Sequence, residues 1–318
     1  MVNIKIIMIY KHLFGPVPSR RLGISLGVDL VPFKVCTLDC IYCEVGKTTI
    51  KTLERKEYVI YDEIISELNH YFADNPQLDY ITFSGAGEPT LNSRIGDVIK
   101  NIKEKYSNYK LCLITNGTLF YDEQVRKEVL DVDLILPSLD AVSDIIFRKI
   151  NRPNKNLSVD KIVEGLVLLR KEFSKQIWLE IFFVEGLNDT DEEVNLLVEK
   201  VKLINPDRVQ LNTLDRPGTE RWVQPLCEEK LKRIANKFSP FPVDILTRKQ
   251  TNVYKNKIPE DVEEIILSTI KRRPCTAEDI SQMLGMKIME VNKYLAIFEE
   301  QNIIEKQNEK NGVFYKIK

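Results

Sequence analysis

Three cysteines near the start of the chain have the spacing of a metal site. Cys36, Cys40 and Cys43 lie in CTLDCIYC, a C-x3-C-x2-C pattern. Three thiolates can bind three irons of a 4Fe–4S cluster and leave the fourth iron open to another ligand. A zinc ion completed by a distant residue is the alternative. The other cysteines are scattered, and we expect them to pack as small hydrophobic residues: Cys112, Cys227 and Cys275.

The composition is that of an ordinary globular protein. The 318 residues are 43% hydrophobic and 29% charged, with a formal net charge of -1, so no overall basic excess points to nucleic acid. The opening MVNIKIIMIYKH has an apolar run well below the roughly 18 residues of a membrane span and no signal cleavage site. We therefore expect a cytoplasmic protein without a membrane partner. Clustered thiols there indicate metal binding or catalysis.

Apolar strand-like runs alternate with amphipathic helical patterns through most of the chain. The predicted strands are 24–33, 78–85, 110–117, 132–140, 177–186, 207–213 and 242–247, and the clearest predicted helices are 61–74, 159–173 and 190–204. Repeated βα units imply right-handed crossovers between parallel strands. The pattern predicts an α/β fold, a partial (β/α) barrel with its chemistry at the carboxyl ends of the strands.

The pattern changes near residue 257. Helices are predicted at 258–273, 276–285 and 287–306, followed by a hairpin over 308–318. This order is typical of a winged helix-turn-helix. We therefore expect two domains, a barrel over 1–250 and a winged helix over 257–318. Residues 259–318 hold nine Lys or Arg against eleven Asp or Glu, which favours protein docking or dimerisation over nucleic-acid binding.

The cysteine loop resembles the signature of the radical S-adenosylmethionine (SAM) superfamily, in which an aromatic residue, here Tyr42, usually precedes the last cysteine. The resemblance implies that Cys36, Cys40 and Cys43 hold a 4Fe–4S cluster whose open iron binds SAM. One electron from the cluster would cleave SAM to methionine and a 5′-deoxyadenosyl radical. The protein would bind, orient and shield these groups.

A glycine-rich segment after the second predicted strand is similar to the superfamily's element for the methionine part of SAM. It consists of Gly85, Ala86, Gly87 and Glu88. Small residues allow close backbone approach, and the resemblance implies that Glu88 receives the SAM ammonium. Three further residues match positions that commonly touch SAM, although all are also frequent in turns: Asn116, Ser138 and Asp140.

Longer strings resemble a group of radical SAM proteins related to the wyosine synthases, which remodel a tRNA guanosine. The strings lie between about residues 14 and 225 and include FGPVPSRRLGISLGVDLVPFK, INRPN and VQLNTLDRPG. The wyosine synthases carry additional N-terminal cysteines for a second cluster. Here no cysteine precedes Cys36, so we expect that cluster to be absent and leave the substrate open.

Four polar residues after the later strands are candidates for substrate binding: Arg152, Asn188, Asn212 and Arg216. Guanidinium groups bind carboxylates and phosphates with two hydrogen bonds. One hypothesis is hydrogen abstraction from an RNA nucleobase. The alternative is modification or activation of a protein or peptide docked through the winged helix. A metal-sensing regulator is disfavoured by the cysteine triad and GAGEP, and the expected electron donor is a flavodoxin or ferredoxin.

Overall fold

The computed structural model describes residues 10–19, 21–246 and 262–318. The predicted domain boundary, most of the N-terminal apolar run and Arg20 lie outside these residues. Among the helices described, none combines the length and apolar character needed to cross a lipid bilayer.

An eight-stranded sheet forms the centre of the barrel region. Its strands are β1 (Leu13–Ser19), β2 (Gly23–Val28), β5 (Tyr80–Phe83), β6 (Lys110–Thr115), β7 (Leu134–Pro137), β8 (Gln176–Phe183), β9 (Arg208–Thr213) and β10 (Val243–Ile245), in that spatial order. β1 is antiparallel to β2, and all other neighbours are parallel. Two short strands, β3 (Val35–Cys36) and β4 (Ile50–Lys51), pair separately. The predicted α/β class is confirmed, and the mostly parallel sheet is consistent with a partial barrel.

Helices connect the strands and cover the sheet. They are α1 (Tyr61–Phe72), α2 (Ile95–Lys105), α3 (Glu123–Glu128), α4 (Asp144–Asn151), α5 (Val159–Glu172), α6 (Asp191–Ile204) and α7 (Glu228–Lys237), with a 3-10 turn at Pro89–Leu91. The sheet and helices share one large hydrophobic core, in which Leu26, Phe83 and Leu113 are fully buried, and two smaller clusters lie beside it. The predicted helices 61–74, 159–173 and 190–204 are present, within two residues of their predicted ends.

The start of the sheet differs from the prediction. Strand β1 was not predicted, since its sequence LFGPVPS contains Pro16 and Pro18, and proline is tolerated in sheets mainly on edge strands. The predicted strand 24–33 ends at Val28. The following residues instead lead the chain to the cysteine loop.

A second, smaller group of elements ends the chain. It comprises α8 (Val262–Arg272), α9 (Ala277–Leu284), α10 (Ile288–Glu300) and a hairpin of β11 (Ile304–Glu309) and β12 (Gly312–Ile317). The predicted helix 287–306 was too long, because Ile304 already begins β11. These elements have their own hydrophobic core, and Val17 of β1 packs against it. We call residues 262–318 the C-terminal module.

Candidate active site

The cysteine loop lies at the carboxyl end of β2, where the preceding residues turn across the end of the sheet. Cys36 ends β3, and the backbone amide of Cys43 donates to the Cys40 carbonyl at 3.1 Å. The later segment DRPG (residues 215–218) packs against the loop. A Cβ on Gly218 would lie 2.9 Å from the Tyr42 carbonyl carbon, so only glycine allows this close approach.

Each thiol of the loop receives a hydrogen bond from a different nitrogen. The pairs are Asn116 Nδ2 with Cys36 at 3.5 Å, Asn151 Nδ2 with Cys40 at 3.3 Å, and Lys34 Nζ with Cys43 at 3.0 Å. All three cysteines are free of disulfides. N–H donors to cysteine sulfur are among the features that tune the potential of iron–sulfur clusters. The donors therefore suit sulfurs that carry negative charge.

The electrostatics of the loop also suit an anionic centre. Burial raises the pKa of the Cys36 thiol to about 12 and that of Cys40 well above its ordinary value, so without a metal both thiols are neutral at pH 7. Lys34 is only 3% exposed, and lysine is rarely buried without a partner. Burial lowers the pKa of Lys34, but the three neighbouring cysteines, Cys43 foremost, together outweigh this effect, and the pKa is raised.

The arrangement fits a 4Fe–4S cluster better than it fits zinc. Three thiols line one cavity, and each accepts a hydrogen bond from its own N–H donor. Zinc ligands must converge on one atom at about 2.0–2.3 Å, whereas each cysteine of a cluster binds its own iron. Three separated thiols, each with a donor and one beside a buried lysine, are the ligand set that a cluster needs.

The glycine-rich segment after β5 lies directly against the cysteine loop. Its Ala86 carbonyl accepts from the Lys34 amide at 2.6 Å, and the Glu88 amide donates to the Val35 carbonyl at 3.0 Å. Gly85 has a φ of +124°, and a Cβ there would lie 1.6 Å from Asp29 Oδ1. A larger residue at Gly85 would therefore displace the segment from the loop.

Glu88 joins the ends of two neighbouring strands. Its Oε1 accepts from Thr90 N at 3.1 Å and from Thr115 Oγ1 at 2.6 Å, and its Oε2 accepts from Asn116 N at 2.8 Å. The side chain is 1% exposed, and burial raises its pKa. Glu88 therefore fixes the backbone at Asn116, after the end of β6. This role is additional to the predicted contact with the SAM ammonium.

Asp140 is the centre of a second buried network. Its Oδ2 accepts from the Tyr42 hydroxyl at 2.5 Å and from Asn151 Nδ2 at 2.6 Å, and its Oδ1 accepts from the Phe182 amide at 2.9 Å. The Tyr42 ring stacks on Phe182 with centroids 3.8 Å apart. Burial raises the pKa of Asp140 to about 6. The network fixes Tyr42 and, through Asn151, orients Cys40.

Most of the residues predicted to hold the cluster or SAM line one cavity of about 220 Å³. Ala86 is the exception, and it lines a larger neighbouring cavity. Ser84, Gly85, Ile114 and Glu180 line both cavities, so the two spaces adjoin. The cavity thus brings together residues separated by more than one hundred positions in the chain.

The residues predicted to bind substrate are less closely grouped. Arg152 pairs with Glu220 at 2.6 Å, away from both cavities. Asn188 is fully buried, and its amide is hydrogen-bonded to backbone groups. Asn212 is 6% exposed and lines neither cavity. Arg216 lines the larger cavity, but it pairs with Glu44 and Asp279.

Several residues of the site were not predicted, among them Lys34, Asn151 and Glu180. Asn151 lies in the string INRPN, but it is 111 positions from Cys40, and no spacing rule relates them. Glu180 lies within a strand that was predicted only as an apolar element. A glutamate in the middle of an otherwise buried strand was the available signal for Glu180.

The fold and the site together define an α/β protein with a three-cysteine metal centre at the carboxyl ends of its strands. A family model described as "Radical SAM superfamily" matches residues 30–200. The chain belongs to this superfamily. Its members bind a 4Fe–4S cluster and SAM, which are therefore the cofactors of this chain.

The chain is also similar to individual known proteins. The chain is 34% identical over 278 residues to UPF0026 protein MJ1312 of Methanocaldococcus jannaschii, covering 86% of this chain and 85% of that protein. It is 37% identical over 272 residues to a Brachyspira hyodysenteriae protein named GTPase Obg, covering 85% of this chain but 40% of that protein. The structure of TYW1 with a lysine-pyruvate adduct bound aligns with a TM-score of 0.52 at 19% identity, over 72% of this chain and 76% of that one. At this identity, the likeness supports the fold alone.

Proposed function

We propose that this protein is a radical SAM enzyme that abstracts a hydrogen atom from a substrate bound beside the cysteine loop. The observation that carries the proposal is the set of three thiols, each with its own N–H donor, in one cavity with the glycine-rich segment. When bound, the cluster supplies the electron that cleaves SAM to methionine and a 5′-deoxyadenosyl radical. The reaction class would be oxidoreductase or transferase.

In this proposal, the chain's own residues bind and orient the two cofactors. Cys36, Cys40 and Cys43 would hold three irons, and Lys34 would offset part of the added negative charge. The N–H donors would fix the orientation of the sulfurs, as hydrogen-bonding partners do around other metal ligands.

The glycine-rich segment and the strand ends would bind SAM. Gly85, Ala86 and Gly87 allow the backbone to approach the methionine part closely. Glu88 Oε2 accepts one hydrogen bond from the protein, and a carboxylate oxygen can accept a second from an ammonium group. We assign the remaining contacts to Asn116 and Ser138, and give Asp140 the role of holding Tyr42.

We propose an RNA nucleobase as the substrate, with a protein or peptide as the alternative. The order of α8, α9, α10 and the hairpin supports a winged helix. The two separate hydrophobic cores support two domains, over 1–250 and 257–318. Of the substrate candidates, Arg216 is best supported because it lines the larger cavity. We expect the enzyme to act in the cytoplasm with a flavodoxin or ferredoxin as reductant.

Anaerobic reconstitution with iron and sulfide, followed by a SAM-cleavage assay, tests the proposal. The wild type is expected to bind about four irons per chain and to form 5′-deoxyadenosine when reduced. Cys36→Ala should lose both properties. Cys227→Ala is the matched control, since Cys227, contrary to the expectation that it packs inside the protein, is exposed, and it is far from the loop in sequence. A Cys36→Ala protein that still cleaves SAM, or a wild type that fills the loop with zinc, would refute the proposal.

The RNA hypothesis is tested by filter binding of total RNA at rising salt. Binding that weakens steeply with salt would support it, because phosphate contacts release counterions. The absence of salt-dependent binding would favour the protein or peptide alternative.

A further inference from the structure

A cavity of about 1450 Å³ lies between the sheet and the C-terminal module. One wall is formed by β1, β2 and the segment after β5, and the other by α8, α9 and the turn of the terminal hairpin. We call this space the interdomain chamber. Because it shares Ser84, Gly85, Ile114 and Glu180 with the smaller cavity of the cysteines, a molecule in the chamber would touch the cavity that receives SAM.

Most guanidinium groups that line the chamber already have carboxylate partners. Arg21 pairs with Glu180, Arg216 pairs with Glu44 and Asp279, and Arg272 pairs with Asp29. Two of these pairs, Arg216 with Asp279 and Arg272 with Asp29, join the barrel region to the module. The pairs also leave those cations with little capacity to bind a further anion.

Arg273 differs from the other arginines of the chamber. It lines the chamber and is partly buried, yet within the described residues its guanidinium has no ion pair and no hydrogen bond. Its backbone is fixed on both sides. The preceding Arg272 is bound to Asp29, and the Cys275 amide and carbonyl both pair with Tyr315, at 3.1 and 2.8 Å.

Two carboxylates on the chamber wall, Glu264 and Glu278, also have no ion pair among the residues that the structure describes. Both are exposed to solvent, where water screens their charge. Arg273 is less exposed, and a guanidinium can donate several hydrogen bonds in one plane to a carboxylate or phosphate. The charge pattern therefore favours an anionic group next to Arg273.

We propose that the interdomain chamber is the substrate site and that Arg273 binds a phosphate or carboxylate group of the substrate. This inference rests on the proposed function, since the chamber adjoins the cavity assigned to SAM. It gives the C-terminal module a direct part in substrate binding, which neither the docking nor the nucleic-acid interpretation of the sequence contains. The proposal also favours substrates that carry an anionic group.

Isothermal titration calorimetry under anaerobic conditions tests the proposal on the reconstituted full-length protein. Pyrophosphate and citrate are the probes, and tighter binding of one of them identifies phosphate or carboxylate as the preferred group. Arg273→Gln should weaken binding of the preferred probe by about tenfold to a hundredfold, the loss expected for a charge-assisted hydrogen bond. Lys271→Gln is the matched control, because Lys271 is exposed and does not line the chamber.

Two results would overturn the proposal: no binding of either probe by the wild type, or equal weakening in the Arg273→Gln and Lys271→Gln proteins. Circular dichroism of both variants checks that the module remains folded. The titration requires no turnover, so it is judged separately from SAM cleavage. A protein that cleaves SAM but binds neither probe would retain the proposed function and lose this inference.

Discussion

The cysteine loop and the C-terminal module are attached to the sheet in different ways. The loop is part of the main core, with Cys36 and Cys40 packed against it, and side-chain hydrogen bonds from three separate segments fix its thiols. The module has its own core and is joined to the sheet by ion pairs such as those of Arg216 and Arg272. We therefore expect the metal site to share the stability of the sheet and the module to be stabilised mainly by its own contacts.

The largest expected effects come from truncating one phenylalanine in each core. Phe83 and Phe298 are 0% and 2% exposed, and each change to alanine should cost about 3–5 kcal/mol. Phe83→Ala should destabilise the sheet and lower the iron content. Phe298→Ala should destabilise the module alone, because its contacts lie in the smaller core.

Spectroscopy can distinguish the unfolding of the barrel region from the unfolding of the module. Both tryptophans of the chain, Trp178 and Trp222, lie outside the module, so their fluorescence follows the barrel region, while circular dichroism follows both parts. In urea, Phe298→Ala should show an early dichroism transition without a fluorescence change. Coincident transitions in that variant would mean that the two cores unfold as one.

Sequence patterns predicted the parallel strands, several helices and the cysteine triad, because each depends on residues close together in the chain. They did not indicate where the module lies. The pair of Asp29 and Arg272 spans 243 positions, and hydrophobic periodicity shows that a face is buried without showing what covers it. Asn151 escaped prediction for the same reason. The sequence pattern likewise did not show that Arg272 and Arg273 line a cavity.

The junction between the two regions is tested by Arg272→Ala. Arg272 binds Asp29, lies 4.1 Å from the Phe14 ring centroid, and has a side chain only 24% exposed. Its loss leaves the buried Asp29 carboxylate unpaired, which should cost roughly 2–4 kcal/mol. Hydrogen exchange should then accelerate along α8 and β1, and Lys271→Ala should leave both unchanged. Similar exchange in the two variants would contradict a role for the ion pair.

The same variant has a predicted pH dependence. Burial raises the pKa of Asp29, and Arg272 partly offsets this rise. Without Arg272, the pKa of Asp29 should rise further above its unfolded value of about 3.9. Protonation then favours the folded state, so stability should fall as pH rises through the interval between the two values. Urea unfolding at pH 5 and pH 7 should show a larger deficit of Arg272→Ala relative to wild type at pH 7.

A smaller change in stability is expected from Asn151→Ala, which removes a hydrogen bond to the cysteine loop. The amide of Asn151 donates to both Cys40 Sγ and Asp140 Oδ2, and its removal should cost about 1–3 kcal/mol. Cluster affinity should fall about tenfold to a hundredfold, as for other residues that orient metal ligands. Iron and sulfide content after reconstitution measures this loss. Asn156→Ala, at an exposed position nearby, should retain full content, and an equal loss there would refute the role of Asn151.

The smallest effect is expected at the start of α9, within the module. The Thr276 hydroxyl oxygen accepts a hydrogen bond from the Asp279 amide, and the Asp279 carboxylate accepts one from the Thr276 amide. Removing such a cap costs about 1 kcal/mol. Thr276→Ala should therefore shift only the dichroism transition of the module, to lower urea concentration. Thr276→Ser keeps the hydroxyl and should leave this transition unchanged. Asp279 also binds Arg216, which pairs with Glu44 beside Cys43. If the fluorescence transition also shifts in Thr276→Ala, these ion pairs couple the stability of the module to that of the cysteine loop. The two regions would then not unfold independently.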